Sequence, residues 1–240
     1  MNAAGLKDVA ARVRTGGIAV SEHRLDVADA AAVAAFPEAV LAEHGRVTVL
    51  VNNAGVALGG TFEQVPAADF EWLFGINFWG VVNTTRAFLP VLRREGAAQI
   101  VHLSSVFGII APPGQVAYAA SKFAVRGFSE ALRHELEGSS IGVTVVHPGG
   151  VRTSVDANAR RTGLTAEEAE QQRRIGAKLL RLPPEAAAER IVRGIERREK
   201  RVLVGRDAQQ IALIQRVFPV GYWRLIARQI ERAMGAGARG

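Results

Sequence analysis

Gln99-Ile-Val-His-Leu-Ser-Ser105 and, thirteen positions beyond its last serine, Tyr118-Ala-Ala-Ser-Lys122 decide how this chain is read. The first stretch is an apolar run closed by two hydroxyl residues, the pattern of a buried strand passing into a loop. The second sets Tyr118 and Lys122 four apart, so that on a helix they share one face, a turn apart. Strand, loop and helix make one βα unit, and the unit recurs outward. Strands are expected near 18–24, 47–51, 99–104, 143–147 and 201–204. Helices are expected near 4–15, 29–44, 67–94, 117–137 and 184–198. This alternation predicts an α/β fold, a doubly wound parallel sheet with helices on both faces.

The two stretches also carry chemistry. A free tyrosine titrates near about 10 and is a poor acid or base at neutral pH. A lysine ammonium close by favours the phenolate and lowers that value, towards the range where acid–base work is efficient. A Ser105 hydroxyl at the strand end can bond the same substrate oxygen that Tyr118 protonates. Three other segments keep them company: Val49-Leu-Val-Asn-Asn-Ala-Gly55, Phe74-Gly-Ile-Asn-Phe-Trp-Gly80, and His147-Pro-Gly-Gly-Val-Arg-Thr153.

Together these motifs, in this order and spacing, resemble the short-chain dehydrogenase/reductase family, with its Rossmann-like fold, from about Leu6 to about Val204. The resemblance implies hydride transfer between NAD or NADP and a carbonyl or alcohol carbon. It implies that Tyr118 is the catalytic acid/base, that Lys122 tunes it and holds the nicotinamide ribose, that Ser105 orients the substrate, and that Asn77 holds a water in the proton relay. Asp26, with Val27, would lie against the adenine. Asn53, Ala54 and Gly55 would steady the central sheet and line the adenosine side, and Pro148, Gly149, Val151 and Thr153 would meet the nicotinamide end. The family's Thr-Gly-x-x-x-Gly-x-Gly turn, whose helix N-terminus holds the pyrophosphate, is not found. Gly16-Gly17 and Gly59-Gly60 are not followed by the required pattern. Residues 4–15 read as the helix after the family's second strand. The expectation is therefore a chain truncated by most of its first βαβ unit, either a cofactor-competent enzyme or a cofactor-impaired form acting through oligomer or membrane-surface contacts.

Composition bounds the rest. With 240 residues the chain suits one α/β domain, and its 48% hydrophobic content can fill a large core. The absence of cysteine excludes disulfides, thiol catalysis and cysteine metal sites. His23, His44, His102, His134 and His147 show no paired metal spacing and read as surface or structural residues. No run reaches the ~18 apolar residues of a membrane span. The net charge of +7 is almost all arginine scattered among alanine, because the lysines are Lys7, Lys122, Lys178 and Lys200. No nucleic-acid recognition signature accompanies it, so nucleic acid is not an expected partner.

The domain is read as residues 1–206, with 149–183 as a mobile substrate lid and 207–240 as an amphipathic helical tail. The run Val106-Phe-Gly-Ile-Ile-Ala-Pro-Pro113 favours an apolar ketone or secondary alcohol, unless it only packs the lid. Aromatic residues on 67–94 and 117–137 predict a homodimer or homotetramer. In the tail, apolar residues from Ile211 to Ile230 interleave with Arg216, Arg224, Arg228 and Arg232, broken by Pro219 and Gly221. That pattern fits a helix docked on protein or one lying on a membrane surface. The expected location is the cytoplasm, with peripheral membrane contact as the second reading of the tail.

Overall fold

The computed structural model describes residues 3–235. The chain runs α1 (Ala3–Arg14), α2 (Ala30–His44), β1 (Val49–Asn52), α3 (Ala67–Phe74), α4 (Gly80–Leu92), β2 (Ala98–Leu103), α5 (Val116–Glu135), β3 (Ile141–Pro148), α6 (Ser154–Ala157), α7 (Ala166–Leu179), α8 (Pro184–Glu196), β4 (Arg201–Val204), α9 (Arg206–Val217) and α10 (Tyr222–Gly235). The four strands form one parallel sheet in the order β1-β2-β3-β4. Each crossover carries a helix, as parallel pairing requires.

Residue alternation along β2 shows how the layers are built. Ile100 packs with Phe88 and Leu92 of α4 and Leu132 of α5, on one face. Val101 packs with Val146, Val202, Val204 and Ala187 of α8, on the other. A central strand covered on both faces reads as a continuous apolar run, as β2 does. The helix ends follow local chemistry. Asp29 caps α2 by accepting from the Ala31 and Ala32 amides, and Gly45, at φ 73°, closes it. Thr165 and Glu168 form a reciprocal capping box on α7.

Two expectations are corrected. Residues 18–24 form no strand. Their side chains are instead tied to the end of α2: Ser21 Oγ bonds His44 Nε2 at 2.8 Å, and His23 approaches Glu43 at 3.5 Å and the Phe36 ring. Among the described residues β1 therefore pairs only with β2, and Val49 and Val51 are 43% and 45% exposed. The helix expected over 67–94 is two helices joined by a π-helical turn, Gly75–Trp79. An extra residue per turn rotates the side chains that follow, a device common at functional sites.

Candidate active site

The strand ends Asn52, Leu103, Pro148 and Val204 lie at one edge of the sheet, where open parallel sheets bind ligands. Ser105 leaves β2 in extended geometry and caps a short 3-10 turn, Val106–Gly108, its Oγ accepting from the Phe107 amide at 3.1 Å. That leaves its single hydroxyl proton free, and the Ser105 side chain is close enough to Tyr118 to favour its phenolate. One turn along α5, Lys122 Nζ donates to the Leu103 carbonyl at 3.0 Å and lies 5.6 Å from the Tyr118 ring centroid. Phe107 meets the same ring edge-on.

Close backbone approach fixes this arrangement. Ser104 Oγ donates to the Lys122 carbonyl at 2.9 Å. A Cβ at Gly108 would stand 2.7 Å from that carbonyl oxygen. Only glycine lets the turn after Ser105 sit so tightly on α5.

The electrostatics differ from the sequence expectation. Burial pushes the Tyr118 hydroxyl upward, and the Ser105 side chain pulls the other way. Burial brings Lys122 down to about 8, because an ammonium removed from water loses its hydration. The expected lowering of Tyr118 by Lys122 is outweighed here: the ammonium is committed to a backbone carbonyl and stands against the ring.

Asn77 lies in the π turn and is fully buried. Its Oδ1 accepts from the Val56 amide at 2.8 Å, and its Nδ2 donates to the Val56 carbonyl at 3.0 Å and to Ser121 Oγ at 3.2 Å. One side chain thus binds the loop after β1 to α5, one residue before Lys122. A Cβ at Gly55 would lie 3.3 Å from Asn77 Oδ1 and 3.6 Å from Lys122 Nζ. Val27 and Ala54 are brought together with Asn52, Ile76, Gly80 and Thr84 around a small dent. Asp26 is exposed beside it, with Oδ1 accepting from the Ala28 amide. Asn53 is exposed and makes no sheet-steadying side-chain bond among the described residues; its neighbour Asn52 takes that place. Pro148 ends β3, and the Gly149 amide bonds the Val204 carbonyl at 2.9 Å. Val151 pairs with Leu182, and Thr153 is exposed at the start of α6.

Asn52, Thr85 and Asp207 had no role in the sequence reading, and His102 and His147, read there as surface or structural, are buried structural residues. Asn52 and Thr85 begin a fully satisfied polar chain. Asn52 Nδ2 donates to Thr85 Oγ1, Thr85 bonds His102 Nε2, and His102 Nδ1 bonds Ser129, whose hydroxyl donates to the Val125 carbonyl. The directions agree only if His102 carries its proton on Nδ1. His147 is buried behind Ser105, its Nδ1 donating to the Ser105 carbonyl at 2.9 Å. Asp207 of α9 accepts from the Gly150 amide at 2.6 Å. For Asn52 a signal existed, since it shares strand parity with the inward Leu50. For Asp207 none did, because its partner lies 57 residues away.

Residues 149–183 are tied to α3. Arg160 bonds Asp69 at 2.7 Å, and its guanidinium lies 3.5 Å from the Trp72 ring centroid. The Arg160 and Gly59 backbones are also hydrogen-bonded. The tail packs on the segment after Ser105: Ile226, Tyr222 and Trp223 meet Phe107, Ile109 and Ile110, and Tyr222 Oη accepts from the Ala111 amide at 3.1 Å.

The site's donor set fits a nicotinamide nucleotide on one observation: Lys122 is buried, yet among the described residues it uses only one of its three N–H donors. Two donors remain for hydroxyls such as those of a ribose. Comparison with known proteins agrees at the level of family. Residues 1–163 match the family model described as short chain dehydrogenase. SadH of Mycobacterium tuberculosis, named as an oxidoreductase, is 42% identical over 222 residues, covering 90% of this chain and 79% of that protein. The 3-ketodihydrosphingosine reductase of Bacteroides thetaiotaomicron is 38% identical over 143 residues, covering 60% of this chain and 53% of the relative. A Burkholderia phymatum short chain dehydrogenase/reductase solved in complex with NAD superposes with a TM-score of 0.80 at 28% identity, covering 88% of this chain and 80% of that one. With a serine, a tyrosine and a lysine converging at the strand ends of such a sheet, the chain belongs to the short-chain dehydrogenase family of oxidoreductases.

Proposed function

We propose that the protein uses NAD or NADP to interconvert an apolar ketone and its secondary alcohol. The observation that carries this reading is the Ser105 side chain acting on the Tyr118 hydroxyl, one helical turn from a buried lysine with donors unused among the described residues. In reduction, the substrate carbonyl oxygen sits between the Ser105 and Tyr118 hydroxyls. Nicotinamide, when bound, supplies the hydride to the carbonyl carbon. Tyr118, whose raised pKa keeps it protonated at neutral pH, gives its proton to the developing alkoxide. Ser105 then donates to the phenolate left behind, and Lys122 adds positive charge beneath the ring. Asn77 supports the proton relay through what it holds, the Val56 loop and Ser121. In this reading Asp26, Val27, Asn53, Ala54 and Gly55 take the adenosine side, and Pro148, Gly149, Val151 and Thr153 take the nicotinamide side. Residues 1–206 form the catalytic domain, 149–183 its lid and 207–240 its tail.

Support for an apolar substrate comes from Phe107 against Tyr118, and from the relative named for a 3-keto compound. Ile109 and Ile110, expected at the pocket wall, are covered by the tail and support it only indirectly. Exposed Trp79 and Phe123, on the α4 and α5 side, support a homodimer or homotetramer. The cytoplasm remains the expected location, and no helix among the described residues is long and apolar enough to cross a membrane.

Titration with NADH and NADPH, followed by nicotinamide fluorescence, tests the cofactor assignment; a ketone panel then tests the substrate class. Replacing Tyr118 with Phe removes the proton donor and is expected to lower turnover by about a hundredfold or more, with the far-UV circular dichroism unchanged. Near wild-type turnover in that variant would overturn the assigned role. A second reading, a cofactor-impaired form acting through contacts, is favoured by the open edge of β1. Failure of the folded protein to bind either nucleotide would establish it.

A further inference from the structure

The tail shows more than a cover for the cleft. Its amphipathic helix α10 turns its apolar face inward, where Tyr222, Trp223, Ile226 and Ile230 pack with Phe107, Ile109 and Ile110. That face is therefore not available to a membrane. Another apolar surface is left outside, at the turn joining α9 to α10. Leu213 and Val217 are four apart, on one face of α9, and the chain continues through Phe218 and Val220. These side chains are 63%, 58%, 50% and 93% exposed. Four large apolar side chains clustered at one corner, with water around them, mark an interaction site.

The charge around the corner says what it meets. Arg216, Arg224 and Arg228 are exposed on the two helices that flank it, and none forms an ion pair with a described residue. The carboxylates of the segment are few. Asp207 is turned inward to the Gly150 amide, and Glu231 follows three residues after Arg228. An apolar tip within a rim of unpaired arginines is complementary to an anionic, apolar-cored surface. A second copy of the chain is a poorer occupant, because two-fold pairing would bring the same arginine rim against itself.

We infer that the α9–α10 corner docks the protein on anionic lipid bilayers, with Val217, Phe218 and Val220 entering the headgroup–acyl boundary and Arg216, Arg224 and Arg228 contacting lipid phosphates. Docking there leaves α10 seated over the segment after Ser105, so the active-site mouth is held at the bilayer surface and not dismantled by it. The inference stands whether or not the proposed reaction is correct, because it uses no catalytic residue.

Co-sedimentation of the whole chain with equimolar phosphatidylcholine–phosphatidylglycerol vesicles, against pure phosphatidylcholine vesicles, tests it. The expected result is pelleting with the anionic vesicles that weakens as salt rises. The double variant Phe218→Ser/Val220→Ser is expected to lose most of that binding while its circular dichroism stays the same. The double variant Arg224→Gln/Arg228→Gln is expected to weaken it by about fivefold per arginine removed, and Phe218→Leu is expected to keep it. Three results would each overturn the inference: no pelleting of the wild type, equal pelleting of the serine variant, or a light-scattering mass that falls in the serine variant without vesicle binding. The last would assign the corner to a second copy.

Discussion

His102 and His147 are both buried imidazoles, and burial brings each down to about 4. Each is neutral in the folded protein, His102 between Thr85 and Ser129, His147 beneath the Ser105 carbonyl. In the unfolded chain a histidine takes up its proton near about 6.5. Below that pH the unfolded state binds more protons than the folded one, so stability falls as pH drops from 6.5 towards 4. The loss is on the order of 3 kcal/mol for each imidazole once the pH is at the lower value. Urea unfolding at pH 7 and at pH 5 should show a lower midpoint at pH 5, and a smaller difference in His102→Gln; a midpoint independent of pH would contradict the assignment. At this scale the candidate site was half legible. Ser105, Tyr118 and Lys122 announce themselves because their spacing is fixed by a strand end and a helical turn. Asn52 and Asp207 do not, because each acts through a partner far along the chain. The direction of the Tyr118 shift was misread because spacing shows a neighbouring charge but not the water that burial removes.

The elements place these residues, and the least regular of them matter most. The π turn that carries Asn77 breaks a helix the sequence pattern shows as continuous, because periodicity cannot register one inserted residue. Asn77 then clamps both backbone groups of Val56. Residues 18–24 have strand-like composition, yet pair with no strand among the described residues. The segment 149–183, proposed as the lid, holds α6 and α7, and Arg160 ties it to α3 through Asp69 and Trp72. Asp69 is held below the usual carboxylate range, first by Thr162 and then by Arg160. Replacing Arg160 with Ala should loosen the lid while leaving Tyr118 and Lys122 in place. Under the proposed reaction, KM for the ketone is expected to rise about fivefold, the size of one exposed cation–π contact with its ion pair, with kcat changed less. Steady-state kinetics on the variant checks this, and an unaltered KM would count against the lid role.

For the whole molecule, the strand–helix alternation carried enough information for the layers: parallel strands, α4 and α5 on one face, and α8 on the other. Surfaces were less legible, because exposure is a property of the assembled fold. The aromatic residues of the π turn, α4 and α5 divide between core and solvent, with Phe88 buried and Trp79 and Phe123 left outside. If these exposed rings form a subunit contact, light scattering should give at least twice the 25.7 kDa chain mass. Trp79→Glu should shift the protein towards the monomer, and a monomeric wild type would refute the assembly.

The tail hydrogen-bonds two loops, through Asp207 to Gly150 and through Tyr222 to Ala111. These two contacts belong to the loops that follow β3 and β2, the same sheet edge that carries the candidate site. Anything that binds the cleft and steadies those loops must also steady the tail, because coupling between two sites is reciprocal. Resistance of the C-terminal helices to proteolytic clipping thus becomes a gauge of cleft occupancy, one that works for ligands that are never turned over.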